Sequence, residues 1–150
     1  YLNMSATDVS KLREETGAGI MDCKRAIDAA KGDYEKAKQI LTEQGIAKAD
    51  KKGARATGAG HLEAYIHAGR VGVLLEVQAE TDFVTRSEPF REAAKNLAMQ
   101  IAATAPESVE TFLKEPYMRD DSMTIENYVK SVIAKVGENM KVVRFTRYQI

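Results

Sequence analysis

Residues Val71 to Val84 read V-G-V-L-L-E-V-Q-A-E-T-D-F-V. Val71, Val73, Leu75, Val77 and Ala79 recur at period two, which predicts a strand with one fully buried face. The run turns polar at Glu80-Thr81-Asp82 and then places a large aromatic, Phe83, where the chain leaves the core. The next helix signal comes only at Ser87, so Phe83 falls on a connection and not inside an element. Two readings are open for it: a plug for the core, or a wedge held for a partner.

A buried strand needs a layer to pack on, and 150 residues supply one good core, or one core and a small satellite. Residues 61–150 read as the main body. Leu62, Ala64 and Ile66 alternate with His61, Glu63, Tyr65 and His67, a strand with one wet face, and Ala68-Gly69-Arg70 turns it into the strand at Val71. Ser87 caps a helix whose Phe90, Ala94, Leu97 and Ile101 share one side, and Pro106 ends that region. Residues 107–122 are less regular. Thr124 caps a further helix that stops at Gly137, and Val142 to Ile150 returns as a strand. The expected fold is α+β, an antiparallel sheet of about three strands with helices on one face.

Residues 1–45 form a different kind of region. Ser5, with Asp8 three positions on, caps a first helix that Gly17 stops; a second runs from about Ile20 to Ala30; Asp33 caps a third that ends at Gly45. Three such helices make a thin core, marginal alone. Residues 46–60, small, polar and glycine-containing, read as a helical start fading into a flexible linker. The tetrapeptide Thr-Gly-Ala-Gly occurs at 16–19 and again at 57–60, but its flanks differ and no repeat follows.

Charge and chemistry exclude more than they assign. Lys plus Arg and Asp plus Glu are 22 each, so no global field draws the chain to nucleic acid or membrane. No apolar stretch approaches a membrane span, and the single cysteine rules out an internal disulfide, which fits a reducing compartment, the cytoplasm or an organelle stroma or matrix. Tyr1 in place of a starting Met implies a trimmed or processed product. His61 and His67 suit no common zinc spacing, Cys23 reads as a buried small hydrophobe, and neither glycine-rich tetrapeptide continues into a phosphate loop. No catalytic constellation, metal or cofactor is expected. Lys48, Lys51, Lys52 and Arg55 keep a second reading open, a ribosome- or RNA-associated binding module, although Asp50 interrupts them and no aromatic is interleaved.

Leu12-Arg13-Glu14-Glu15-Thr16-Gly17-Ala18-Gly19-Ile20-Met21-Asp22-Cys23-Lys24-Arg25-Ala26-Ile27 resembles the N-terminal signature of the translation elongation factor Ts family. Thr81-Asp82-Phe83-Val84 resembles that family's second signature, and the likeness continues through Gly137-Glu138-Asn139 and the closing strand. The resemblance implies a UBA-like three-helix module at 1–45, a linker at 46–60 and a dimerisation-type core at 61–150. It implies a guanine-nucleotide exchange factor, not an enzyme, which binds the GDP form of elongation factor Tu and speeds GDP release. Thr81, Asp82, Phe83 and Val84 then match the intruding segment, with Asp82 and Phe83 entering beside the partner's magnesium and phosphates. Leu12, Arg13, Ile20 and Met21 match positions that grip the partner elsewhere; for Leu12, internal packing of the three helices is the other reading. Long members carry a duplicated core and a C-terminal helical hairpin that reaches the partner, and 150 residues cannot hold both, so the resemblance implies that in a short member a second copy of the chain stands in for the missing half.

Overall fold

The computed structural model describes residues 5–150; Tyr1 and the rest of the first four positions of the expected N-terminal module lie outside them. Three helices come first: α1 (Ala6–Thr16), α2 (Ile20–Ala29) and α3 (Tyr34–Ala49). Ser5 and Asp8 close a full capping box on α1, each side chain taking a hydrogen bond from the other's backbone N–H, and Asp33 caps α3 by accepting from the Lys36 N–H. Gly17 ends α1 in the left-handed conformation at φ 72°. Leu12, Cys23, Ala26, Ala30, Ala37 and Leu41 fill a small core between these helices.

The third helix departs from expectation. It runs straight through Gly45 to Ala49 and continues as one 3₁₀ turn over Asp50–Lys52. Gly45 is no stop; it is where α3 comes closest to α7 (Ile125–Val136). A Cβ built there would lie 2.9 Å from the Ala134 methyl, closer than carbon atoms normally approach. The absent side chain lets the two helices touch, and Ala49, one turn on, is buried in the larger core of the body.

That body is an α+β unit, as expected. A three-stranded antiparallel sheet takes the order β1 (Ala59–His67), β2 (Val71–Ala79), β5 (Met140–Gln149), with β2 in the centre. Ala68 and Gly69, both at positive φ (50° and 66°), give the β1–β2 connection its tight twist. Val73, Leu75, Val77 and Ala79 turn one face of β2 inward against α5 (Glu88–Thr104) and its neighbours, where Phe90, Leu97, Ile101 and Ile125 complete the core.

On β1 the faces are the reverse of the expected ones. His61, Glu63 and Tyr65 lie opposite Val77, Leu75 and Val73 and so share the inward face; His61 packs edge-on to Phe90 with ring centroids 6.2 Å apart. Leu62 and Ile66 point outward and are 60% and 65% exposed. Because β1 is an edge strand, its inward side chains reach the core with their stems while their polar tips meet at the rim, as His61 and Glu63 do at 2.9 Å. The apolar set is left on the outer face of the sheet beside Leu74 and Tyr148.

Residues 107–122 hold more structure than their sequence suggests: α6 (Val109–Lys114) and a short hairpin of β3 (Pro116–Tyr117) and β4 (Asp120–Thr124). The buried Gln100 side chain fixes the segment, donating to Glu115 and the Pro116 carbonyl and accepting from the Met118 N–H at 2.9 Å.

Candidate partner-binding site

The sequence-derived candidates fall into two groups on different elements. The first sits at the end of β2. Thr81 caps a single helical turn, α4 (Asp82–Thr85), whose first two residues are exposed and whose last two, Val84 and Thr85, are buried. Phe83 is 85% exposed, which excludes the core plug and leaves the aromatic free for a partner. Val84 is the anchor of the turn in the body core, 5% exposed, and presents almost no surface of its own. Phe83 therefore lies inside a short element and not on a plain connection. The next helix begins at Glu88 after Ser87, whose hydroxyl does not cap it; it donates instead to the Val84 carbonyl at 2.6 Å and closes the turn from behind.

Contacts from a distant part of the chain hold this turn. The Glu138 carboxylate accepts from the Thr81 N–H at 3.0 Å and from the Thr81 hydroxyl at 2.8 Å. Its neighbour Asn139 is buried and donates its N–H to Glu80 at 3.0 Å, while its amide group donates to the carbonyls of Arg55 (2.9 Å) and Gly53 (3.4 Å). Gly137, left-handed at φ 81°, ends α7 and accepts from the Lys52 ammonium at 3.2 Å. One tight turn thus joins the Phe83 segment, the end of α7 and the chain that follows α3.

The second group lies on the three-helix module. Ile20 and Met21 open α2 and are 48% and 59% exposed, with Arg13 exposed on α1. Leu12 is fully buried in the small core. Internal packing is the reading that the geometry supports for it, and any part it has in binding passes through the helices it holds together. The Asp22 carboxyl, in the first turn of α2, is held below its ordinary range by hydrogen bonds from Arg25 and Lys48.

The basic segment is largely committed inside the molecule. Lys48 pairs with Asp22 at 3.3 Å, Arg55 with Glu80 at 3.7 Å, and Lys52 is on the Gly137 carbonyl. Cys23 is buried, and that burial pushes its thiol up, the opposite of a nucleophile's environment. Among the described residues no group of three or more His, Cys, Asp or Glu converges as a metal site, and no helix is long and apolar enough to cross a membrane.

The residue that sequence reasoning missed is Glu138. Its tripeptide stands out as turn chemistry, glycine followed by two polar residues, but nothing in a single sequence says which distant loop such a turn reaches.

The family described as Elongation factor TS matches residues 80–150, which run from Glu80 through the closing strand. Elongation factor Ts of Coprothermobacter proteolyticus is 38% identical, with 99% of this chain and 99% of that protein covered. Elongation factor Ts of Rippkaea orientalis is 40% identical over 97% of this chain and 77% of its own length. The chloroplastic polyprotein of EF-Ts from Oryza sativa subsp. indica is 38% identical over 95% of this chain, which spans only 17% of that longer protein. With a relative matched end to end at that identity, and an exposed aromatic turn where the family's own match begins, the chain belongs to the elongation factor Ts family of translation elongation factors.

Proposed function

We propose that this chain is the guanine-nucleotide exchange factor of elongation factor Tu, and that it releases GDP by inserting Asp82 and Phe83 beside the partner's magnesium and phosphate site. The observation that carries the reading is the placement of Phe83: a large apolar ring, 85% exposed, on a short turn anchored from below by Val84. A monomer gains nothing from leaving such a ring in water, whereas a partner pocket that accepts it gains a buried aromatic anchor. Arg13, Ile20 and Met21 supply a second contact on the module, and Thr81 and Val84 support the intruding pair. Exchange takes place wherever the partner works, in the cytoplasm or in an organelle that makes its own proteins.

The energetics require a real intrusion. If the factor weakens GDP by some ratio, GDP weakens the factor by the same ratio. Each tenfold step needs about 1.4 kcal/mol of differential binding. A buried hot-spot residue supplies about 2 kcal/mol or more, and a rim contact does not. Magnesium tolerates little departure from octahedral geometry, so a small displacement around it loosens the nucleotide strongly. Replacing Phe83 with Ala is expected to slow GDP release about thirtyfold or more while leaving the unfolding curve unchanged. Stopped-flow release of labelled GDP tests this, and a folded variant that exchanges at the normal rate refutes the wedge.

The same reading includes a homodimer. Leu62, Ile66, Leu74 and Tyr148 leave the outer face of the sheet apolar, and Leu62 and Ile66 stand on an edge strand where a two-fold axis lets one patch meet its own copy. Light scattering is expected to give twice the chain mass, and Tyr148→Glu to return it to the monomer. A monomer at every concentration with full exchange activity removes the dimer from the mechanism. RNA plays no part in this reading, since Lys48, Lys52 and Arg55 are engaged within the molecule.

A further inference from the structure

A one-turn helix does not hold its own direction. α4 has four residues, and the Thr81 hydroxyl accepts its capping N–H from Val84 at the long distance of 3.4 Å. Val84 pins the turn's inner side, yet a wedge also needs its outer side, where Asp82 and Phe83 project, to point one way. The only carboxylate hydrogen-bonded to the entry of the turn, among the described residues, is that of Glu138, which takes both the backbone N–H and the hydroxyl of Thr81. Two bonds from one carboxylate to one residue fix orientation as well as distance.

Glu138 is itself immobilised. Gly137 on one side closes α7, and Asn139 on the other is 3% exposed with its N–H on Glu80 and its amide group on two carbonyls of the segment after α3. The carboxylate therefore projects from a turn tied at both ends. We infer that Glu138 is a positioning residue for nucleotide exchange, holding Thr81 and, through it, Asp82 and Phe83 in the direction that insertion requires. The inference rests on the wedge reading above and adds to it a residue that acts through Thr81.

Loss of the Glu138 carboxylate leaves the Phe83 ring present but aimed correctly only part of the time. The rate of the inserted step falls by that fraction. Contacts from the module do not depend on this turn, so the concentration of factor that half-saturates release is expected to change little. A residue with a purely stabilising role lowers the amount of folded protein instead, and moves neither ratio.

The test compares the full chain with Phe83→Ala, Glu138→Ala, Glu138→Gln and the Glu138→Ala/Phe83→Ala double variant. GDP release from elongation factor Tu is measured at increasing concentrations of each, alongside amide hydrogen exchange at Thr81. Glu138→Ala is expected to lower the maximum release rate about tenfold with half-saturation within about twofold, and to speed exchange of the Thr81 amide. Glu138→Gln, which keeps one acceptor for that amide, is expected to fall between. In the double variant, losing Glu138 should cost nothing beyond Phe83→Ala, because there is no ring left to aim. A slow Phe83→Ala beside a normal Glu138→Ala overturns the positioning role and leaves the wedge standing. Additive losses in the double variant overturn it too. A normal Phe83→Ala brings down the wedge and this inference with it, while exchange itself stands, and is told apart because it is read without touching Glu138. Should Glu138→Ala fail to fold, the rate and Thr81 protection of Glu138→Gln decide the same question.

Discussion

The body and the three-helix module are held by different means. Phe90, Phe112, Leu75, Leu97, Ile101 and Ile125 are all fully buried between sheet and helices, enough apolar bulk for the body to stand on burial alone. Among the described residues the module's small core buries two large aliphatic side chains, Leu12 and Leu41, with Cys23 and three alanines around them and Ile27 and Ile40 partly buried at its edge. It is braced from outside by α7, which lies against Gly17 and Gly45, and from within by polar ties between its own helices. A region with so thin a core can thus keep its shape where a neighbour braces it.

The largest expected effects test that contrast directly. Phe90→Ala should destabilise the body by about 3–5 kcal/mol, and Leu12→Ala should destabilise the module by about 2–5 kcal/mol. The difference lies in what melts. Phe90→Ala should lower the single main transition, since the module has nothing to rest on without α7. Leu12→Ala should release α1 and α2 while strand amides of β2 stay protected from hydrogen exchange. Simultaneous loss of β2 protection in Leu12→Ala would show that the two cores are one cooperative unit.

A smaller effect is expected where the regions meet. Gly17 sits at φ 72°, and a Cβ there would lie 2.8 Å from the Ala134 carbonyl oxygen and from the Lys135 Cα. Backbone cannot move aside as a flexible side chain does, so Gly17→Ala should cost about 2 kcal/mol from left-handed strain and overpacking together. The division at 1–45, 46–60 and 61–150 is a proposal that the same variant sharpens. Trypsin should cut at Lys51 or Arg55 faster in Gly17→Ala than in the parent and leave a body fragment that resists further digestion. Equal cutting rates would mean that the seam does not brace the module.

How far the sequence foretold this depends on whether the cause is local. Caps at Ser5, Asp33 and Thr124, the stop at Gly137 and the buried face of β2 all follow from neighbours within a few residues, and all appear as read. Gly45 misleads because its reason, the Ala134 methyl, lies on a distant helix. Period two on β1 reveals two faces but not which one meets α5, and here the apolar set lies on the exposed outer face, the inverse of the usual rule. The hairpin at Pro116–Thr124 is organised by Gln100, a polar residue on a helix otherwise read for its apolar stripe. In the candidate site the exposed pair Asp82 and Phe83 was legible as a motif and internal packing of Leu12 stood as one of two readings, while the choice between those two and the grip of Glu138 on Thr81 were not legible. Both depend on what packs against the residue, not on the residue itself.

The smallest expected effect concerns the polar ties inside the module. Glu15, near the end of α1, accepts from the Tyr34 hydroxyl at 2.9 Å and pairs with the Lys38 ammonium at 3.1 Å, both on α3. Burial pushes the Glu15 carboxyl up, but the bonds from Lys38 and Tyr34 outweigh it and hold the group below its ordinary range. A carboxyl with a lowered folded-state pKa contributes stability that is complete above its unfolded value, about 4.3, and that is lost as pH falls through the folded value. Tyr34 stays a donor throughout, because burial and the bond to Glu15 push its hydroxyl up to about 12. The module should therefore loosen in acid while the body, which does not depend on this tie, keeps its protected amides. Glu15→Gln should remove this part of the acid response at a cost of about 0.2–1 kcal/mol near neutral pH, as for a part-exposed ion pair. Asp8 and Asp22, both held low by hydrogen bonds, titrate in the same region, so the informative quantity is the difference between parent and variant. Denaturation curves measured from pH 7 downward should converge below the unfolded carboxyl pKa; curves that stay parallel would show that Glu15 does not tie α1 to α3.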